Sequence, residues 1–501
     1  MSFIHRNLTV LFILLLVGGY AWLYGGTMSS VLRPVVPWIW VFMLEIALCF
    51  PQRHEGEPSR RARRRVWEAM REDPLVWVSL AFVLLMCIPF VNSALCPVCD
   101  AKAIAQGADP GPAVPFLPYC VDRLLHYNVF LWFAPTLTAA IVAKHSLVRS
   151  GKRLLIEMLV WNGAALALLG FVQQVAGAPG PLWSVLSNGP VHFFSTFGYP
   201  NMAGDYFVVM FCLSIAQWRW RMDDVRDGLR SKTISRTMSS HETFWRKHYL
   251  LIAALLNFFA ALNTLSRAAI ILVASAAVIL FAHAGFVAIA RMEKVDRVRS
   301  GVFCALGLIM IAVAATMFMP DGVHREMKTV GSREVLDRVT GRGEEHSFVA
   351  TQIWREHLLF GCGGWGYAHL SKEKFPDRKY WSPGSANVHN DHLQFLVEHG
   401  LVGYGLLVAA FVLLLIPTFK AWHTMADAGR FALKKRNRTQ TFFALPGSAF
   451  SVLVAAVVPL VHGFGDCPLR SPAVLSVFFV SLACIGGYLP RESSHDDSSK
   501  E

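Results

Sequence analysis

Polar side chains crowd the stretch from Asn387 to Gly403, NVHNDHLQFLVEHGLVG, among them His389, Asn390, Asp391, His392, Gln394 and Glu398. They stand directly before the apolar run Leu401 to Pro417, which reads as a membrane span, so polar chemistry is expected at a membrane mouth. With Ser385 or Asn387 as the N-cap, His389 falls in or near the first helical turn, where the positive end of the helix dipole disfavours imidazolium. A neutral imidazole can accept a proton from a hydroxyl. The plainer alternative is that these residues only cap a helix at the level of the lipid headgroups.

Other polar groups fall where the chain is expected to emerge on the same side. They are Tyr199 and Asn201 in TFGYPNMAG, Arg267 in LSRAA, Arg342 in the long segment before His389, and Asp466 with Arg470 in GDCPLRSP. A lone arginine at a helix end commonly snorkels to the headgroups. Several guanidinium groups facing one cavity are different, because they bind phosphate oxygens bidentately and stay charged when buried. His389 and His392 lack a third firm ligand at helical spacing, so no metal site is expected. The chain has no HExxH, no GxSxG and no EF-hand loop.

The elements that must position these groups are membrane helices. The chain has 501 residues, 54% of them hydrophobic, with a formal net charge of +13. Apolar runs of about 18 to 22 residues recur along most of it, which predicts about twelve spans. Most of the positive excess follows the rule that lysine and arginine collect in cytoplasmic loops, so nucleic acid is not the expected partner. Arg53, Arg60, Arg61, Arg63, Arg64, Arg65 and Arg71 fix the loop after the second span inside, while segment 176–199 has no lysine or arginine and is expected outside. The expected spans lie near 8–25, 31–50, 75–92, 127–143, 154–175, a sixth after 199, 248–264, 268–288, 300–319, a tenth from 397, 446–464 and 471–488. The division that follows is 1–319 for spans one to nine, 320–396 for a large outer loop, 397–490 for the last three spans, and 491–501 for a disordered cytoplasmic tail. Within the loop, Phe348, Ile353, Trp354 and Leu358 predict a helix with one apolar face lying over the membrane surface. The glycine run GCGGWGY at 361–367 then breaks it, as a turn or as a backbone approach to substrate. Cys96, Cys99 and Cys120 share one outer loop, where an oxidising compartment permits a disulfide.

Taken in order, TFGYPNMAG, LSRAA, a long loop ending in HNDHLQFLVEHGLVG, and DCPLRSPA resemble the O-antigen ligase family of polytopic bacterial glycosyltransferases. The related polymerases share parts of this pattern, and the resemblance spans roughly 155–488. It implies an all-α integral membrane fold of the C type of glycosyltransferase, with one large periplasmic loop between spans nine and ten. It further implies a multi-pass protein of the bacterial inner membrane whose active site faces the periplasm. The donor would be a glycan on undecaprenyl diphosphate, the acceptor the lipid A core or another glycan, with no nucleotide sugar, cofactor or metal. By motif, His389 would be the base that deprotonates the acceptor, while Arg267 and Arg342, or Arg338 in a shifted register, would hold the diphosphate. Tyr199, Asn201, Asn390, Gln394, Glu398, Asp466 and Arg470 would line the substrate site. The alternatives are a polymerase using the same donor and a transporter of lipid-linked sugars; the latter expects internal repeats and charges along a path, and no repeat is evident.

Overall fold

The computed structural model describes residues 7–94, 112–184 except 116, 193–230, 240–290, 333–374, 387–432 and 445–489. All elements longer than a single bridge are helical among the described residues. The first are α1 (Leu8–Trp22), α2 (Ser29–Cys49), α3 (Ser59–Glu72) and α4 (Pro74–Ala94), followed by α5 (Arg123–His145) and α6 (Arg149–Val175). Next come α7 (Pro200–Arg230), α8 (Ser240–His248), α9 (Leu250–Asn263) and α10 (Arg267–Ala290). The last are α11 (Arg333–Glu356), α12 (Gly366–Lys374), α13 (Asp391–Ala432), α14 (Gly447–His462) and α15 (Pro472–Ala483).

Six of the described helices are long and apolar enough to cross a membrane, namely α2, α4, α5, α6, α10 and α13; α1, α14 and α15 are apolar but shorter. The expected ninth span, 300–319, lies outside the described residues.

The core forms around α7, which packs against α6, α9, α10, α14 and α15. Its middle carries Ala203, Tyr206, Phe207, Val208, Val209, Met210, Cys212 and Leu213, all almost without exposure, so every side of this helix faces protein. A helix apolar all round belongs inside a bundle, and α7 sits there. By contrast α2, α4 and α10 leave much of their apolar surface outward, as lipid-facing helices do.

The polar-rich segment departs from its expected form. The helix begins at Asp391 and runs through the expected boundary at 396 to Ala432, broken once at Gly400. Asp391, Gln394 and Glu398 in its first turns are buried against other elements. Gly400 has φ 65° and ψ −174°, a region in practice reserved for glycine. The break is held by the chain at 358–363: Leu401 N and Val402 N donate to Leu358 O and Leu359 O, while Cys362 N and Gly363 N donate to Val397 O and Glu398 O. The two backbones lie so close that a Cβ at Gly361 would overlap Glu398, and one at Gly400 would overlap Leu359. This glycine run forms one half of a clasp on the broken helix. Gly364 N completes the clasp by donating to His126 Nδ1 on α5 at 2.9 Å.

The expected surface helix forms as part of α11, but its faces differ from the expectation. Val349, Ala350 and Ile353 bury in a small second core with Tyr119, Val121, Tyr367, Leu370, Val388 and Val397. Trp354 packs at the edge of that core, whereas Phe348 and Leu358 are exposed. The helix has apolar residues on two sides, and periodicity does not say which side finds protein. Cys120 is buried and bonded to Ser93 through its carbonyl and amide; Cys96 and Cys99 lie outside the described residues.

Candidate functional site

At one end of the bundle the turn 463–471, between α14 and α15, meets the start of α13. Asp391 N donates to Gly463 O at 2.7 Å and to Asp466 O at 3.1 Å. In return the Asp391 carboxylate accepts from Leu469 N at 2.7 Å. Gly463 leaves room for this approach, since a Cβ there would already touch Asp391. These bonds place Asp466 beside His389, and His389 Nδ1 lies 3.0 Å from Asp466 Oδ1.

His389 is not in the helix. It precedes α13 by two residues and takes the left-handed conformation, φ 56°, which is uncommon for a residue with a side chain. The N-cap is Asn390, whose Oδ1 accepts from Leu393 N at 3.0 Å, rather than Ser385 or Asn387. The expected first-turn dipole effect on His389 therefore gives way to a direct partner, Asp466.

Asp466 is the hub. Its Oδ1 also accepts from Cys467 N at 2.8 Å, and its Oδ2 accepts from Tyr199 Oη at 2.8 Å and from Asn201 Nδ2. Burial pushes this carboxyl upward, but the hydrogen bonds from His389, Asn201 and Tyr199 and the charge of His389 outweigh it. The net result holds the carboxyl well below the ordinary carboxylate range. Burial, reinforced by the Asp466 charge, drives the Tyr199 phenol up, so Tyr199 remains a hydrogen-bond donor.

The Arg267 turn shares this end. Gly204, three residues beyond Asn201 on α7, packs so tightly on the turn that a Cβ would overlap Ala269 and crowd Thr264 and Ser266. Ser266 caps α10 by accepting from Ala269 N at 3.2 Å, and Arg267 is the first residue of that helix. A helix N-terminus carrying an arginine concentrates positive charge at that point.

The other expected residues fall into two groups. Gln394, Glu398 and Arg470 are buried and join one another: Gln394 Nε2 donates to Glu398 Oε1 at 2.6 Å, and Arg470 Nη1 to Glu398 Oε2 at 2.8 Å. The Arg470 guanidinium also lies over Trp365 at 4.6 Å and Trp132 at 5.5 Å. This brace ties the 463–471 turn to α13, and breaking a buried ion pair of this kind costs about 3–5 kcal/mol. His392 bonds to Tyr404 Oη and Leu460 O. Arg338 and Arg342 lie on α11, but their side chains are outside the described residues.

Two features were not visible in the sequence. His346, buried on α11 one turn after Arg342, packs at a tilt near His389 with ring centroids 5.6 Å apart, and its Nδ1 lies 3.1 Å from Tyr367 Oη. Nothing in the spacing singled it out. A third metal-type donor also joins His389 from far along the chain. His389, Asp466 and Cys467 offer atoms within 4.8 Å of one another, the one such group among the described residues. Here those atoms are linked by hydrogen bonds, with Cys467 Sγ 3.3 Å from Asp466 Oδ1.

The fold and this end of it define an α-helical membrane protein with a histidine–carboxylate pair at the same end as a helix-terminal arginine. Residues 252–408, the stretch that holds both Arg267 and His389, match the family model described as O-antigen ligase. Asp466 and Arg470 lie beyond the matched stretch. No curated protein gives a significant match to the chain.

Proposed function

We propose that this protein is a metal-independent, inverting glycosyltransferase of the bacterial inner membrane. It moves a glycan from undecaprenyl diphosphate to an acceptor hydroxyl of the lipid A core on the periplasmic side. The observation that carries this reading is the His389–Asp466 pair at 3.0 Å, placed at the same end of the bundle as the Arg267 turn.

With Nδ1 donating to Asp466, the His389 tautomer has its lone pair on Nε2, the nitrogen suited to take a proton. The acceptor hydroxyl attacks the anomeric carbon, its proton passes to Nε2, and the bond from that carbon to the diphosphate oxygen breaks. One displacement inverts the centre. Undecaprenyl diphosphate departs with its charge met by Arg267 and by Arg342 or Arg338, and such charge stabilisation is commonly the largest part of a rate enhancement. Tyr199 and Asn201 hold Asp466 in place, and the Arg470–Glu398–Gln394 brace fixes the turn that carries it. Asn390 is assigned to the helix cap and to contact with the glycan beside His389.

The test is to incubate purified protein with undecaprenyl-diphosphate glycan and a lipid A core acceptor and to identify the product by mass. Glycan joined once to the core is the expected product; elongation of the lipid-linked chain itself identifies a polymerase, and transport with no new bond overturns the enzyme. In the same assay His389→Ala is expected to lose about 10² to 10⁴-fold, the usual worth of a general base. Near-normal transfer by that variant removes His389 from the mechanism.

A further inference from the structure

The opposite end of the bundle holds a cavity of about 780 Å³ that no step of the transfer uses. Its walls come from Asp73 and Pro74 at the start of α4, Lys144 at the end of α5, Arg149 at the start of α6, the α13 stretch from Leu413 to Met425, and Gly486 and Leu489. Leu413 lies 13 residues beyond the break at Gly400, roughly 20 Å at helical rise, so this space is remote from His389.

Its chemistry is two-sided. Lys144, Arg149 and Lys420 set three positive charges against the single carboxylate of Asp73, an excess of two. Lys144 Nζ lies 2.6 Å from Asp73 Oδ2, while Lys420 is exposed. Beside the charges stand Leu413, Ile416 and Pro417. The outer side of α13 continues the apolar surface, with Val412, Ile416 and Phe419 exposed to the extent of 48%, 36% and 55%. Next to the cavity, α3 ends one residue before Asp73. It exposes Arg60, Arg61, Arg63, Arg64 and Arg71 with Trp67, while Ala62 and Val66 bury, the form of a helix lying in a headgroup layer. Trp77, donating to Arg71 O at 2.9 Å, marks the same level.

We propose that this cavity binds the phosphate-bearing head of an anionic phospholipid, with phosphate oxygens on Lys144, Arg149 and Lys420 and acyl chains along Leu413 and Ile416. The excess of two positive charges suits a lipid with two phosphodiesters, of the cardiolipin type, better than one with a single phosphate. Cations alone would serve a soluble phosphate compound equally; the adjoining apolar wall selects a lipid. Basic pockets between helices near a membrane surface take such heads, at about 1 kcal/mol for each cation near the surface. This assignment does not depend on the glycosyltransferase reading, because its readout is binding.

The experiment uses the full-length protein in phosphatidylcholine nanodiscs, titrated with cardiolipin, phosphatidylglycerol or more phosphatidylcholine, and followed by native mass spectrometry. Cardiolipin is expected to bind most tightly and phosphatidylcholine not to saturate. Lys420→Gln, at an exposed position, should weaken cardiolipin about fivefold while leaving thermal unfolding in phosphatidylcholine unchanged. Arg60→Gln, which removes an exposed charge outside the cavity, should leave the affinity as it was. Equal affinity for Lys420→Gln and the unsubstituted protein, or an equal loss in Arg60→Gln, overturns the site. Displacement of cardiolipin by inorganic pyrophosphate at equal phosphate concentration overturns the lipid in favour of a soluble ligand.

Discussion

His389 acquires its role from the company it keeps. An imidazole at a membrane mouth is unremarkable until a buried carboxylate fixes which nitrogen carries the proton, and here Asp466 does so from 77 residues away. Asp466→Asn keeps the shape of the site but offers an amide where His389 needs an acceptor. Transfer by that variant is expected to fall about a hundredfold or more, in kcat rather than KM, as single-turnover rates with saturating donor will show. The same carboxyl also makes a pH prediction. Its folded-state pKa lies below its unfolded value of about 3.9, so its stabilisation is present above that value and is lost as pH falls through it toward the folded value. The difference in melting temperature between the unsubstituted protein and Asp466→Asn should therefore shrink as pH falls below about 4. A difference that stays the same down to about pH 2 would show that this carboxyl does not contribute.

Among the elements, the broken helix α13 decides most. Its first turns are held by the 463–471 turn on one side and by the 358–363 chain on the other, with Gly400 as the point where the two directions meet. Gly400→Ala forces a Cβ into the Leu359 backbone and a side chain into a conformation reserved for glycine. The cost of the conformation alone is about 1–3 kcal/mol, and the overlap adds to it. A clear drop in thermal stability in detergent is expected, whereas Gly405→Ala, where a Cβ meets nothing, should leave melting unchanged. Equal melting of the two variants would show that the clasp does not hold the helix. The brace of Arg470, Glu398 and Gln394 works at this same scale. The Arg470–Glu398 ion pair and the Gln394–Glu398 hydrogen bond tie the buried turn to α13 and so fix its place in the bundle.

For the whole molecule the separation of its two ends is the governing fact: His389, Asp466 and the Arg267 turn at one, the arginine-rich α3 and the basic cavity at the other. Sidedness is open to direct test with a membrane-impermeant maleimide on intact cells. A cysteine placed at exposed Gly465 should label from outside, and one at exposed Glu55 only after the membrane is opened. Reversed labelling would put the candidate site in the cytoplasm. Much of this plan was legible in the chain itself, because long apolar runs must become helices in a bilayer and arginine clusters must stay on one side. The positions of most described helices, the polar mouth before Leu401 and the family resemblance all follow from such local regularities. Other features needed the folded chain. His389 stands before its helix rather than in it, GCGGWGY is a clasp, Arg470 pairs with Glu398, and His346 lies beside His389. The last three of these are contacts between segments far apart in sequence. Local composition sets which residues enter the membrane, but only packing decides which buried polar group meets which, since most of them are held by a partner and spacing does not say where.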